Sequence, residues 1–367
     1  MSFPRGLLLR IKTKRKRRIE MKKTVAIFFG GCSSEYKVSL MSAASVIKNI
    51  NKEKYSVILI GITEYGDFYL YEGRVEEIEN DRWFNEKSLR KITVSVNRSD
   101  RGIILLDTGE TVRIDVAFPV LHGKNGEDGR LQGLLELAGI KCAGCGMTSS
   151  AICMDKHLAH ELAASKGFAV PKGYLFKKTD SFDYVEEKIF DLRYPLFVKP
   201  LKAGSSVGVG KIRYLGELEA ALKEAFVYDN KVLIEESVDG FEVGCAVLGS
   251  LAPIVGEIDE IELENQNGFF DFYEKYSLKT SKIHLPARLA QCEKEKIKVF
   301  ALNIYKILGC KGFARVDMFY TKDKRIIFNE VNTIPGFTSH SRYPNMLNSA
   351  GISFEETIER LIELAEE

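Results

Sequence analysis

The stretch Thr24-Val-Ala-Ile-Phe-Phe29-Gly30-Gly31, with the two segments that follow it, decides the fold. Residues 25–29 are a short apolar run ending in two glycines, as a buried parallel strand would. Residues 39–50 then carry Leu40, Ala43, Ala44, Val46, Ile47 and Ile50 at helical spacing, and Tyr55–Ile62 reads as a second strand. Further on, residues 114–121 read as a third strand and 131–138 as a helix. Strand, glycine turn and helix in this order predict a parallel sheet with ligand loops at the carboxyl ends of its strands.

Two more units extend outward from this one. Residues 149–167 read as a helix ending at Gly167, before a break at Val170-Pro171. Strand-like runs at 194–199 and 231–236 enclose a Glu/Ala-rich helix at 217–228. The last unit has strands at 242–248 and 254–262, a helix at 293–308, two strands around 322–324, and a final helix at 354–366. Residues 265–285 are aromatic-rich and polar without clean periodicity, and read as a long functional loop of the kind that serves as a lid. The expected organisation is a leader (1–20), an N-terminal domain (21–145), a central subdomain (146–240) and a C-terminal subdomain (241–367).

The 367 residues and 41.4 kDa suit two or three domains. Composition is that of a soluble globular protein, 45% hydrophobic and 28% charged. No stretch approaches the roughly 20 apolar residues of a membrane-spanning helix. The net charge of +2 conceals an asymmetry: eight basic residues and one acid fall in residues 1–20, so residues 21–367 carry −5. A nucleic-acid binder concentrates positive charge on its folded body, and this body is mildly acidic. The run Lys12–Arg18 is either a basic arm for nucleic acid or an anionic membrane, or a disordered leader ahead of Met21; the second reading is favoured, because Met21-Lys22-Lys23 leads straight into the first strand. The apolar run after it, about seven residues, is at the bottom of the range for a secretory h-region. Seven scattered cysteines do not form a disulfide framework, and Cys142-Ala-Gly-Cys145 lacks the second pair of a zinc site. Reduced thiols and a cytoplasmic location follow.

The chemistry concentrates in four places. In Phe313-Ala-Arg-Val-Asp-Met-Phe319, Arg315 and Asp317 share one strand face, as do Glu330 and Asn332 in Ile326-Ile-Phe-Asn-Glu-Val-Asn332. Two carboxylates and an amide oxygen suit Mg²⁺ held through substrate phosphates, and Arg315 would neutralise phosphoryl charge; solvated acids on amphipathic strands are the alternative. Lys199 precedes a loop, Gly204-Ser205-Ser206-Val207-Gly208, rich in donors for phosphate oxygens. It matches neither the Walker loop nor the dinucleotide fingerprint. Glu35, beside Gly30-Gly31 and before a helix, either complements the helix dipole or binds a substrate ammonium. His122, in the loop Pro119–Gly129, is equally readable as structural or ligand-binding.

Together these motifs resemble the D-alanine–D-amino-acid ligases of the ATP-grasp superfamily, over nearly the whole chain from Met21. The matching motifs run in order: Gly30-Gly31-x-Ser-x-Glu35, His122-Gly-x-x-Gly-Glu-Asp-Gly129, Met154-Asp-Lys156, Lys199-Pro-x-x-x-Gly-Ser-Ser-Val-Gly208, Arg315-Val-Asp317 and Glu330-Val-Asn-Thr-Ile-Pro-Gly336-Phe-Thr-Ser-His-Ser341. Residues 1–20 have no counterpart. The resemblance implies an α/β protein with a Rossmann-like N-terminal domain followed by a two-domain ATP-grasp of α+β character. It implies a cytoplasmic homodimer of peptidoglycan synthesis that uses ATP and two Mg²⁺ ions (Mn²⁺ also fits), with D-alanine and a second D-amino acid as substrates, and neither nucleic acid nor membrane as a partner. By the same resemblance Lys156 and Lys199 contact phosphates, and Ser205, Ser206 and Val207 close over ATP. Glu235, Val238 and Glu242 fall where adenine and ribose bind, and Asp317, Glu330 and Asn332 ligate the metal. Glu35 holds the first D-alanine's ammonium with His122 nearby, Arg315 and the Gly336 N–H stabilise the tetrahedral oxyanion, Tyr276 bonds Ser205 and Glu35, and Lys275 and Ser341 hold the second carboxylate. A carboxylate is a poor electrophile, so the implied reaction passes through an acyl phosphate, shielded from water by the lid.

The second substrate turns on a few residues. Tyr276 in Glu-Lys-Tyr argues against D-lactate, whose ligases typically carry His there. Arg342 departs from the aliphatic residue usual in alanine ligases and resembles the serine-using branch of vancomycin resistance, in particular its type G members. Its guanidinium would donate to a serine hydroxyl, unless it only lines the pocket rim. D-serine is therefore favoured, with D-alanine as the alternative. A nucleic-acid- or membrane-binding role through the leader is a weaker alternative from another class.

Overall fold

The computed structural model describes residues 22–85, 89–202, 204, 207–263 and 281–367. The basic leader, Ser205, Ser206, Lys275, Tyr276 and most of the expected lid lie outside them. Among the described residues no helix is long and apolar enough to cross a membrane.

Among the described residues three sheets organise the chain. The first has eight strands, in the spatial order Thr111–Arg113, Gly102–Leu105, Arg90–Val94, Phe68–Tyr71, Tyr55–Ile62, Lys23–Gly30, Val116–Pro119 and Lys141–Cys142. Lys23–Gly30 pairs in parallel with Tyr55–Ile62 on one side and Val116–Pro119 on the other. Beyond Tyr55–Ile62 every pairing is antiparallel, so the expected parallel sheet is correct for one half only. The antiparallel half is made of short strands, and antiparallel neighbours need no crossover helix. The helix Tyr36–Asn49 covers the face carrying Val25, Ile27 and Phe29, while Arg130–Ala138 covers the face carrying Ala26 and Phe28. Gly30 and Gly31, at φ +87° and +102°, make the turn between strand and helix; a side chain on Gly30 would strike the Ile62 carbonyl.

The second sheet is antiparallel and runs Gly210–Ile212, Leu196–Pro200, Lys231–Glu236, Gly173–Lys177. Its helices Phe182–Ile189 and Leu218–Tyr228 close a separate small core around Phe176, Leu196, Val198 and Ile234. The third sheet is also antiparallel: Ser281–His284, Ile254–Leu263, Gly240–Leu248, Phe313–Thr321, Ile326–Asn332. Helix Gln291–Ile307 packs on one face and Arg342–Ser349 on the other.

The helix expected at 149–167 is two, Met147–Met154 and Lys156–Ser165. Asp155 separates them and caps the second by accepting the Leu158 N–H at 3.1 Å. That cap sets Lys156 at a helix start.

Candidate active site

The turn after the first strand carries Glu35, whose side chain is buried. A side chain on either Gly123 or Gly204 would overlap the Glu35 carboxylate. The loop after Val116–Pro119 and Gly204 after Leu196–Pro200 therefore both approach Glu35 closely, and at Gly123 the φ of +72° itself favours glycine. His122 lies in the first of these loops, fully enclosed, and both ring nitrogens are engaged by the protein. Nδ1 is 2.8 Å from the Ile334 carbonyl and Nε2 is 3.0 Å from the Ser42 hydroxyl. Burial pushes its pKa down against the opposing pull of Glu35, so the ring is neutral. Its two nitrogens leave no donor for a substrate.

Glu127, in the same loop, accepts the Gly123 N–H and the Ile334 N–H, each at 3.0 Å. Burial and the nearby Glu35 charge push its carboxyl up to about 7. The sequence motif contained Glu127 without giving it a role; its signal was an acid in a glycine loop.

On the third sheet, Asp317 stands opposite Glu330 and Arg315 opposite Asn332, so the four residues form one face of the hairpin. Arg315 binds Asp317 bidentately, with Nε at 2.8 Å and Nη2 at 2.7 Å, and the Asn332 amide donates to Asp317 at 2.8 Å. Glu330 is 3.3 Å from Lys156, which arrives from the helix capped by Asp155. His160, one turn along that helix, donates to the Asn329 carbonyl at 2.7 Å and so ties the lysine helix to the Glu330 strand. Among the described residues no three His, Cys, Asp or Glu side chains converge as a metal cage, and Cys142 and Cys145 are free thiols. Two carboxylates and an amide fit an oxygen-loving ion that completes its shell with water and phosphate.

Arg342 opens the helix after Ser341 and is not at the rim. Its side chain is 9% exposed; Nε and Nη2 grip Asp259 at 2.7 and 2.8 Å, Nη1 reaches Glu242 at 3.0 Å, and Nη2 lies 3.6 Å from Asp317. Burial opposes its charge, but Asp259 and Asp317 raise its pKa well above the ordinary value. Asp259, missed in the sequence, is one of four acids in its strand; here it is almost fully buried and also accepts the Gly244 N–H at 2.9 Å. Glu242 is thus drawn toward Arg342. Ser341 caps the 338–341 turn, accepting the Thr338 N–H at 3.0 Å, and lies against Gly336.

On the second sheet, Lys199 pairs with Glu235 across the Leu196–Pro200 and Lys231–Glu236 strands. Glu235 is buried and Lys199 partly so, and the second carboxylate oxygen of Glu235, Oε2, has no hydrogen-bond partner among the described residues. An unpartnered buried carboxylate oxygen is costly unless a ligand N–H completes it. Val238 lies in the loop that follows, its carbonyl accepting the Gly240 N–H at 3.0 Å. Val207 is in the described part of the glycine loop, its N–H bonded to the Gly204 carbonyl at 3.2 Å.

Comparison with known proteins matches residues 24–145 to the D-ala D-ala ligase N-terminus and 162–363 to the D-ala D-ala ligase C-terminus. The chain belongs to the D-alanine–D-alanine ligase family. The solved VanG D-Ala:D-Ser ligase from Enterococcus faecalis superposes with a TM-score of 0.88 at 51% identity, covering 94% of this chain and all of that one. The vancomycin/teicoplanin A-type resistance protein VanA of Enterococcus faecium is 46% identical over 93% of this chain and 98% of its own. A D-alanine–D-alanine ligase of Caldicellulosiruptor bescii is 44% identical over 93% and 94%. The fold is that of the ATP-grasp ligases.

Proposed function

We infer that the protein joins D-alanine to a second D-amino acid, D-serine, at the expense of ATP and through a D-alanyl phosphate. The observation that carries this reading is the convergence of the Glu35 pocket, the Gly204 loop and the Arg315–Asp317–Glu330–Asn332 face. An amine-binding carboxylate, a phosphate-binding loop and a metal-binding face are what an acyl-phosphate ligase needs. Glu35 holds the first ammonium, and Ser205, Tyr276, Lys275 and Ser341 complete the two substrate sites. ATP fits the second sheet: the Glu235 Oε2, without a partner among the described residues, accepts a hydrogen bond from the adenine amine, Val238 and Glu242 flank adenine and ribose, and Lys199 and Lys156 turn to the phosphates. Asp317, Glu330 and Asn332 would hold Mg²⁺, which supplies charge neutralisation between a carboxylate and a triphosphate.

The first D-alanine's carboxylate oxygen attacks the γ-phosphorus and ADP leaves. The second substrate's free amine then attacks the acyl carbon, and the Arg315 guanidinium and the Gly336 N–H hold the oxyanion until phosphate departs. Support for D-serine comes from VanG, a D-Ala:D-Ser ligase, and from Arg342 beside Ser341. The second reading, D-alanine, is favoured by the three bonds that already tie Arg342 to Asp259 and Glu242.

Incubation with Mg-ATP, D-alanine and equimolar D-serine is expected to give mainly D-Ala–D-Ser; a large excess of D-Ala–D-Ala sinks the serine reading. R342M is expected to lower the D-Ser to D-Ala product ratio by about tenfold, the effect of one lost charged hydrogen bond. An unchanged ratio would clear Arg342 of a direct role.

A further inference from the structure

The loop Thr333-Ile-Pro-Gly-Phe-Thr338 is pinned to the N-terminal unit by bonds whose donors and acceptors follow from the chemistry of the partners. The Ile334 carbonyl can only accept, so His122 Nδ1, 2.8 Å away, carries the proton. The ring is neutral, so Nε2 is bare and receives the Ser42 hydroxyl proton at 3.0 Å. With its proton so directed, the Ser42 oxygen accepts the Phe337 N–H at 3.3 Å. Ser42 is completely buried, on the helix Tyr36–Asn49. One proton arrangement satisfies all three groups.

The consequence appears in the backbone donors of this loop. The Ile334 N–H goes to Glu127, the Phe337 N–H to Ser42 and the Thr338 N–H to Ser341. Pro335 has none. Between Ile334 and Thr338, the Gly336 N–H is the one backbone donor without an acceptor among the described residues. Its neighbour Phe337 is locked by ring contacts to Phe313 at 5.6 Å and Phe354 at 5.2 Å. A donor free to meet a developing negative charge is useful only if its neighbours are fixed.

We propose that Ser42 is a positioning residue for the ligation: its hydroxyl holds His122 and the 334–337 backbone in the arrangement that leaves the Gly336 N–H for the substrate oxyanion. The proposal rests on the ligase reading above. Ser42 touches no substrate, and its neighbour one turn back, Ser39, serves a different end, accepting the Gly30 N–H at 2.9 Å.

The test pairs kinetics with ring spectroscopy. In S42A, kcat for dipeptide formation is expected to fall about 10- to 100-fold, within the range for impairing one oxyanion donor, while the KM for ATP changes less than about twofold. In S42C, of similar volume and with a weak S–H donor, the loss is smaller. Nitrogen-15 spectra of histidine-labelled full-length protein, with H122Q identifying the resonance, are expected to show His122 protonated on Nδ1 in the wild type and an altered Nε2 signal in S42A. A kcat within about twofold of wild type overturns the proposal, as does a parallel rise in KM for ATP, the mark of general loosening. A wild-type ring protonated on Nε2 also overturns it. If S42A fails to fold, the kcat of S42C and the wild-type ring spectrum support or overturn the proposal on the same criteria. Should the wild type form no dipeptide from any pair of D-amino acids, the ligase reading fails, and the ring spectrum alone still decides whether Ser42 holds His122 as described.

Discussion

Two buried charge clusters, one on the second sheet and one on the third, are built on opposite plans. Around Lys199 and Glu235 the groups are few, paired singly, and one carboxylate oxygen is left over. Around Arg315 and Arg342 the carboxylates of Asp317, Asp259 and Glu242 are bonded by forks, an amide and a backbone N–H. The first leaves one buried acceptor without a donor among the described residues, as the proposed ATP contact requires. The second is a self-satisfied network in which three carboxylates outnumber two guanidiniums, so a cation can be added without breaking it. Where evolution leaves polar atoms unpaired, ligand specificity resides; where it over-pairs them, geometry is being held.

The largest expected effect separates these plans most sharply. D317N removes the central acceptor of the fully paired network and strands Arg315. Urea unfolding is expected to show a loss of about 3–5 kcal/mol, with activity down by at least about 10³-fold. A variant as stable as the wild type would break the claim that the cluster holds itself together. E235Q takes the carboxylate from Lys199, which is only partly buried, so it should cost less stability than D317N while raising the KM for ATP about tenfold, one lost charged hydrogen bond. A change in unfolding free energy as large as that of D317N would erase the distinction.

The smallest effect belongs to a carboxyl outside both clusters. Glu127, with a carboxyl near 7 in the fold against about 4.5 when unfolded, binds its proton more tightly in the native state. Its contribution is complete below the unfolded value and is lost as pH rises through about 7, so stability should fall by about 1–3 kcal/mol between pH 4.5 and 8. E127Q, which cannot ionise, should flatten that slope; an identical slope would assign it to other groups.

What the sequence revealed followed from periodicity and spacing. The strand Tyr55–Ile62 and the strand Lys231–Glu236 lie where alternation and apolar runs put them, and the Arg315/Asp317 and Glu330/Asn332 pairs share a face because side chains alternate along strands. The short strands Arg90–Val94, Gly102–Leu105 and Thr111–Arg113 were not legible because three to five residues carry too little pattern. The helix Arg342–Ser349 was hidden by Pro344, which is tolerated in the first turn, where no intrahelical acceptor is lost. In the site, the motif residues were legible but their partners were not. Asp259 lies 83 residues from Arg342, and Ser42 lies 80 from His122 and 295 from Phe337. Pairings at that range are set by tertiary packing, which leaves no local trace.

The core around Phe337 has a consequence for modularity. Val25, Phe29, Phe118, Leu248, Phe313, Phe337, Tyr343 and Leu361 belong to one continuous apolar cluster. The chain can be cut at residue 145 on paper, where the N-terminal family match ends, but the cut runs through a shared interior. A substitution in this shared interior is therefore felt by the first and third units together, whereas the small second sheet packs around a core apart from it.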